Sequence, residues 1–249
     1  MIVSHSKKFI FLHGRKTAGS SIGIALMRYL ESGDIARGYI TGGLSEGAVP
    51  PDWNRSLLHI RPLDLLRSQP RVQAYRRFVK EQHGIASTHM NAKEIKDYLG
   101  EERWSEYFKF TFERNPFDRI VSFYYWRIRG LNNPPLFAEF VDALCDGDLD
   151  FLDQYNLDNF SNLPFYTIDG EIAVDFVGQY NRLNKDLAFV FDSLGMGRDV
   201  LLPKNKSGIR PPTARYESLA SKEMTVSLSK LFEKEMALFG YPAPSGFLT

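Results

Sequence analysis

Two stretches of this chain hold residue types suited to binding anions. The first, Phe9-Ile-Phe-Leu-His-Gly-Arg-Lys-Thr-Ala-Gly-Ser-Ser-Ile22, reads as a buried strand, a tight Gly-containing turn and the start of a helix. Backbone N–H groups at a helix N-terminus, here around Ala18 to Ser21, point at an anion. Thr17, Ser20 and Ser21 add hydroxyl donors, and Lys16 adds a mobile point charge. A nucleoside triphosphate loop reads G-x-x-x-x-G-K-[ST]. Gly14 and Gly19 have that spacing, but Ser20 follows Gly19 and the lysine comes earlier. The pattern therefore indicates a phosphate-like anion and departs from a standard triphosphate loop. An ordinary strand-to-helix turn with an exposed lysine is the structural alternative. Gly, Lys, Thr, Gly, Ser and Ser gathered within residues 14–21 weigh against it.

The second stretch is Phe112-Glu-Arg-Asn-Pro-Phe-Asp-Arg-Ile-Val-Ser122. Arg114 leaves the carboxyl end of a strand, where open α/β sheets bind ligands. Arg119 and Ser122 are expected on the polar side of the following helix, so that Arg114 and Ser122 bracket a second phosphate. Taken alone, this stretch fits a helix cap with surface salt bridges. Two anion sites on consecutive units imply a ligand with two separated phosphate-like groups.

The elements that must position these residues follow from periodicity and turn chemistry. Residues 9–12 form a short apolar run, as in a central parallel strand. Ile22, Ala25, Leu26, Tyr29 and Leu30 recur at helical spacing. Residues 33–55 look like a loop, 56–61 a strand, 63–82 a basic helix and 85–88 a short strand leading into His89. Asn91 to Leu99 reads as a helix capped by Gly100. Phe108, Phe110 and Phe112 alternate as on a strand face. Asn115-Pro116 then starts a helix with Phe117, Ile120, Val121, Tyr124 and Tyr125 in its stripe. Residues 131–165 mix helix and loop. Asp169-Gly170 marks a hairpin, Lys204 to Pro212 a basic loop, and 216–239 a final helix. Alternating strands and helices predict an α/β, P-loop-like fold, a central mainly parallel sheet flanked by helices, as a single domain over 1–249.

Composition narrows the class. The 249 residues are 43% apolar, with 19 Phe and 12 Tyr, which fits an ordered globular protein. A net charge of +1 gives no reason to expect nucleic acid as a partner. The single cysteine, Cys145, excludes an internal disulfide framework and reads as a half-buried helix residue in a reducing compartment. No run approaches the roughly 18 apolar residues of a membrane span. Lys7 and Lys8 precede only Phe9 to Leu12, so no signal peptide is read, and a cytoplasmic location is expected. The sequence holds no His-Glu-x-x-His and no Cys cluster. Asp192 after Leu187-Ala-Phe-Val-Phe imitates a magnesium-binding strand end. Leu183, Leu187, Val190, Phe191 and Leu194 instead fit a helix stripe closed by Gly195, which leaves Asp192 on a helix surface.

Lys16-Thr-Ala-Gly-Ser-Ser resembles the 5′-phosphosulfate loop of sulfotransferases that use 3′-phosphoadenosine-5′-phosphosulfate (PAPS), and Arg114-Asn-Pro-Phe-Asp-Arg-Ile-Val-Ser122 resembles their 3′-phosphate motif. Thr88-His-Met-Asn-Ala-Lys-Glu-Ile95 and Trp104-x-x-Tyr-Phe-Lys-Phe resemble the segment before that second motif. Val174 to Leu183, Leu202-Pro-Lys-Asn-Lys-Ser207 and Phe239-Gly-Tyr241 resemble later landmarks of the carbohydrate-type branch. The likeness runs in order along nearly the whole chain. Three positions depart from it: Arg15 replaces a frequent Pro, Glu113 a common Val, and Asn181-Arg182 a frequent Glu-Asn.

The resemblance implies in-line transfer of a sulfuryl group from PAPS to an acceptor hydroxyl of a carbohydrate or glycoconjugate, leaving adenosine 3′,5′-bisphosphate, without metal. It implies donor binding by Arg15, Lys16, Thr17, Ala18, Gly19, Ser20, Ser21, Arg114, Ser122, Lys206 and Ser207. Lys16 stabilises the leaving phosphate and His89 is the general base, with His59 the alternative. His13 is expected to line the loop, and His5 and His83 to face solvent. Competing readings are a P-loop kinase or NTPase, which the displaced lysine disfavours, and a non-catalytic nucleotide-binding protein.

Overall fold

The computed structural model describes residues 1–31, 33–36, 89–155, 157, 160–197, 202 and 209–244. The expected elements at 56–61, 63–82 and 85–88, with His59, His83, Lys206 and Ser207, lie outside the described residues. In chain order the first elements are β1 (Ile2–Ser4), β2 (Phe9–Phe11), α1 (Gly19–Met27), β3 (Ile35–Ala36), α2 (Ala92–Leu99), α3 (Glu101–Glu106) and β4 (Phe108–Glu113). Then come α4 (Pro116–Ile128), α5 (Phe137–Asp146), α6 (Leu149–Gln154) and α7 (Leu163–Tyr166). The remainder is β5 (Thr167–Ile168), β6 (Glu171–Ile172), β7 (Phe176–Gln179), α8 (Leu183–Ser193), α9 (Lys222–Leu231) and α10 (Glu233–Phe239). They group into two compact units. One takes its described residues from 1–14, 18–112 and 164–205, the other from 15–17, 113–163 and 206–249.

The first unit is α/β, built on a sheet of order β3-β1-β2-β4-β7. β2 and β4 run parallel, with Phe9 opposite Phe108 and Phe11 opposite Phe110. The sheet is mixed, because β1 is antiparallel to both β2 and β3. β1 is too short for periodicity to have separated it from β2. Phe9, Phe11, Phe110 and Phe112 pack with Ile22, Ala25 and Leu26 of α1 and with Leu187, Val190 and Phe191 of α8. Burying each such side chain stabilises the unit by about 1.5–3 kcal/mol. Asp192 is exposed on α8, as its place opposite that stripe requires.

Local chemistry sets the element ends. Asn91 accepts from Glu94 N at 2.8 Å while the Glu94 carboxylate accepts from Asn91 N, a capping box that starts α2. Asp169 and Gly170 have φ of 53° and 87°, the geometry of the two-residue turn joining β5 and β6.

The second unit is helical. Asn115 caps α4 by accepting from Phe117 N at 3.0 Å, with Pro116 at the first helical position. Its Phe117, Ile120, Val121 and Tyr124 pack with Phe137, Phe140 and Val141 of α5 and with Leu228 and Phe232. Residues 216–239 are not one helix. A short turn at Tyr216–Ser218 precedes α9, and the chain breaks again at Phe232 before α10. The physical signals are the Ser221 cap, which accepts from Met224 N, and Phe232, fully buried with its ring 5.5 Å from those of Phe117 and Phe160. Cys145 lies on α5 and is exposed rather than half-buried.

Asp34 pins the turn between β1 and β2. Its carboxylate accepts from Ser4 Oγ, His5 N, Ser6 N, Ser6 Oγ and Glu31 N at 2.6–3.1 Å. Burial alone would raise its pKa, but these bonds outweigh burial and hold it below the ordinary range. A depressed folded-state pKa gives stability that is present above the unfolded value, about 3.9, and lost as pH falls through the folded one. Asp34→Asn is expected to lower unfolding free energy by about 1–3 kcal/mol at pH 7. In urea titrations over a pH series the gap to wild type should hold down to about pH 4 and narrow below it.

Candidate anion and transfer site

The turn between β2 and α1 passes along the chain from the first unit through Arg15–Thr17 of the second and back. In the first unit, α1 begins at Gly19 with Ala18 as its N-cap in the left-handed region, φ 63°. The side chain of the N-cap residue is a methyl group that makes no capping bond, and the first turn carries no acidic residue. The first-turn N–H groups and the positive end of the helix dipole are therefore suited to an anion. Ser20 is half-buried and Ser21 is buried within α1. Gly19 is required by the ring of His13. A Cβ there would stand 1.9 Å from His13 Cδ2, and His13 itself is buried.

His13 also organises His89. His89 Nδ1 lies 3.0 Å from the His13 carbonyl, and the two rings are 4.7 Å apart, with Phe165 at 6.0 Å from the His89 ring. A carbonyl only accepts, so Nδ1 carries the proton and the basic lone pair of neutral His89 is on Nε2. This is the tautomer a general base needs. The strands fix the carbonyl: Leu12 N donates to Phe110 O, and Leu12 O accepts from Thr111 Oγ1 at 2.6 Å. His5 does not face solvent as expected. It is half-buried with Nδ1 at 2.8 Å from Tyr107 Oη, and burial together with Arg103 holds its pKa below the ordinary value against the pull of Asp34.

In the second unit, Lys16 is also left-handed, with φ 61°. Its carbonyl accepts from Arg114 Nη1 at 3.2 Å, so the two motifs singled out in the sequence are joined by a hydrogen bond. Its Nζ sits 4.6 Å from the Trp126 ring centroid, and Arg129 Cζ is 3.4 Å from the same centroid. Thr17 is buried. Arg114 Nε donates to Asp118 Oδ2 at 2.5 Å, and Asp118 Oδ1 accepts from Arg210 Nη1. Burial would raise the Asp118 pKa, but Arg114 and Arg210 hold it below the ordinary range. Ser122 is half-buried on α4, two turns from Arg114's end of the helix.

Arg119 is a correction. It was expected on the polar side of α4 but is fully buried, paired to Glu113 at 2.6 Å and Glu235 at 3.1 Å. Its partners lie 6 and 116 residues away, and the second could not be read from local spacing. Sequence reasoning also missed Asn162. Its Oδ1 accepts from Arg15 N at 2.8 Å, and its Nδ2 donates to Arg15 O at 3.0 Å and Glu113 Oε1 at 3.3 Å. Arg210 falls in the basic loop expected at Lys204 to Pro212, where its pairing with Asp118, 92 residues away, has no local signal. No local signal distinguishes an asparagine that clamps a distant main chain.

The sulfotransferase family model matches residues 1–242, and the chain belongs to that family. Carbohydrate sulfotransferase 14 of Danio rerio is 25% identical over 175 residues, covering 57% of this chain and 46% of the fish protein. The chain thus spans less than half the length of that relative. An uncharacterized protein of Archaeoglobus fulgidus is 32% identical over 115 residues, 45% of this chain and 87% of that protein. No solved structure matches. Among the described residues no helix is long and apolar enough to cross a membrane.

Gly19 gives a local test. Gly19→Ala forces the buried His13 ring to move, and with it the neighbour of His89. Unfolding free energy should fall by about 1–3 kcal/mol in urea titration, and an unchanged midpoint would show that His13 has another place to go.

Proposed function

We propose that this sulfotransferase uses PAPS as donor and transfers its sulfuryl group to a hydroxyl of a carbohydrate or glycoconjugate. The observation that carries the reading is the bond from Arg114 to the Lys16 carbonyl, which links the residues of the two anion motifs. The reading assigns the 5′-phosphosulfate to Arg15–Ser21 and the 3′-phosphate to Arg114 and Ser122. Lys206 and Ser207 remain assigned by resemblance. The α1 N-terminus, free of acidic residues in its first turn, suits the negative charge that this donor brings. The name of the Danio rerio relative supports a carbohydrate acceptor.

In this mechanism the acceptor hydroxyl gives its proton to His89 Nε2 as its oxygen bonds to sulfur. The bond from sulfur to the bridging oxygen breaks, and adenosine 3′,5′-bisphosphate leaves with the electron pair. Lys16 stabilises the charge that builds on that bridging oxygen, where electrostatics provide the main catalytic lever. The His13 carbonyl holds His89 in the required tautomer and stabilises the imidazolium that forms.

Two variants test the roles. Lys16→Ala should lower kcat by about 10²–10³-fold. His89→Gln should lower it by about 10²–10⁴-fold while leaving bisphosphate affinity within a few-fold of wild type. The assay is bisphosphate release from PAPS with pooled hydroxyl acceptors, read by mass spectrometry. A variant that turns over as fast as the wild-type protein would overturn the corresponding role.

A further inference from the structure

The buried polar cluster of the second unit is larger than ion pairing requires. Glu113, Arg119 and Glu235 are each at most 2% exposed, and Asn162 is fully buried. Two carboxylates beside one guanidinium are a costly arrangement in a protein interior. A cluster serving stability alone could be replaced by apolar groups of the same volume with little loss. What distinguishes this cluster is where its hydrogen bonds go. Glu113 Oε1 accepts from Arg114 N at 2.7 Å, Arg119 Nη1 at 2.6 Å and Asn162 Nδ2 at 3.3 Å. Asn162 uses its remaining amide proton and its oxygen on the main chain of Arg15, both N–H and C=O.

One carboxylate oxygen therefore sets two backbones. It holds Arg114 directly, and it fixes the orientation of the asparagine amide that holds Arg15. The next residue, Lys16, is in the left-handed region and is held at its carbonyl by Arg114. A non-glycine residue at that φ is strained and persists only where its surroundings impose it. The Lys16 backbone is thus fixed from both sides by groups that converge on Glu113.

We infer that Glu113 and Asn162 are positioning residues, which act through the Arg15–Thr17 backbone to place the Lys16 side chain on a bound phosphate group. The inference rests on the proposed donor site. A misplacement of about 1 Å at such a group can cost on the order of 10²-fold.

The test is a double-mutant cycle on adenosine 3′,5′-bisphosphate affinity, measured by calorimetry with the full chain and with folding checked by thermal melting. Asn162→Ala is expected to weaken binding about 10-fold or more in the wild-type background and less than about threefold in the Lys16→Ala background, because its effect passes through that lysine. Equal losses in both backgrounds would assign Asn162 a merely structural role and overturn the inference. If Asn162→Ala does not fold, Asn162→Ser and Glu113→Gln replace it. Glu113→Gln keeps an accepting oxygen at the same place and should retain most of the affinity that Glu113→Val loses. Identical affinities for the Gln and Val variants would also overturn it. Thr225→Val removes a buried hydrogen bond to Tyr216 in the same unit and should leave affinity unchanged. Failure of the wild-type protein to bind the bisphosphate would instead overturn the proposed donor.

Discussion

The constraint on which the site depends is a strained turn. Lys16 and Ala18 are both held at positive φ, which L-residues with a side chain adopt at a cost of roughly 1–2 kcal/mol each. Something must impose these angles on a turn that sequence alone would leave free. In the second unit it is the asparagine clamp on Arg15 and the Arg114 bond to the Lys16 carbonyl. In the first it is α1 itself, whose Ile22 N–H closes onto the Ala18 carbonyl at 3.1 Å. The consequence is a helix that starts behind a left-handed residue and a lysine whose backbone is held at its carbonyl. Both properties cost stability, and both favour a bound anion.

Charge is distributed to suit that purpose. Negative groups near the anion motifs are spoken for: Asp118 by Arg114 and Arg210, Glu113 by Arg119, Asn162 and a backbone N–H. The aromatic face of Trp126 carries two cations, Lys16 and Arg129, at 4.6 and 3.4 Å. A ring quadrupole offers a lysine a modest attraction without the full charge of a carboxylate.

Much of the scaffold was legible because its signals are local. Asn115-Pro116, the Asn91–Glu94 capping box, the Asp169-Gly170 turn and the alternating phenylalanines of β4 each act within a few residues. Arg114 and Lys16, which a hydrogen bond joins, also lie in segments that local patterning singles out. What escaped is non-local. Arg119 looked like a surface residue because its partner Glu235 is 116 positions away, and Asn162 carried no signal because it meets Arg15 from 147 positions away. The break at Phe232 escaped because burial of one ring, not a helix-breaking residue, marks it. The short β1 has three residues and no period to detect.

The central claim is that this chain recognises a nucleotide with two separated phosphate groups, one at the Lys16 turn and one at the Arg114 motif. Calorimetry comparing adenosine 3′,5′-bisphosphate with adenosine 5′-monophosphate, in the presence of a chelator, tests it most directly. The account predicts that the bisphosphate binds and that removing its 3′-phosphate weakens binding by at least about tenfold, one charge-assisted contact at the least. Equal affinity for the two nucleotides, or no affinity for either in folded protein, would contradict it.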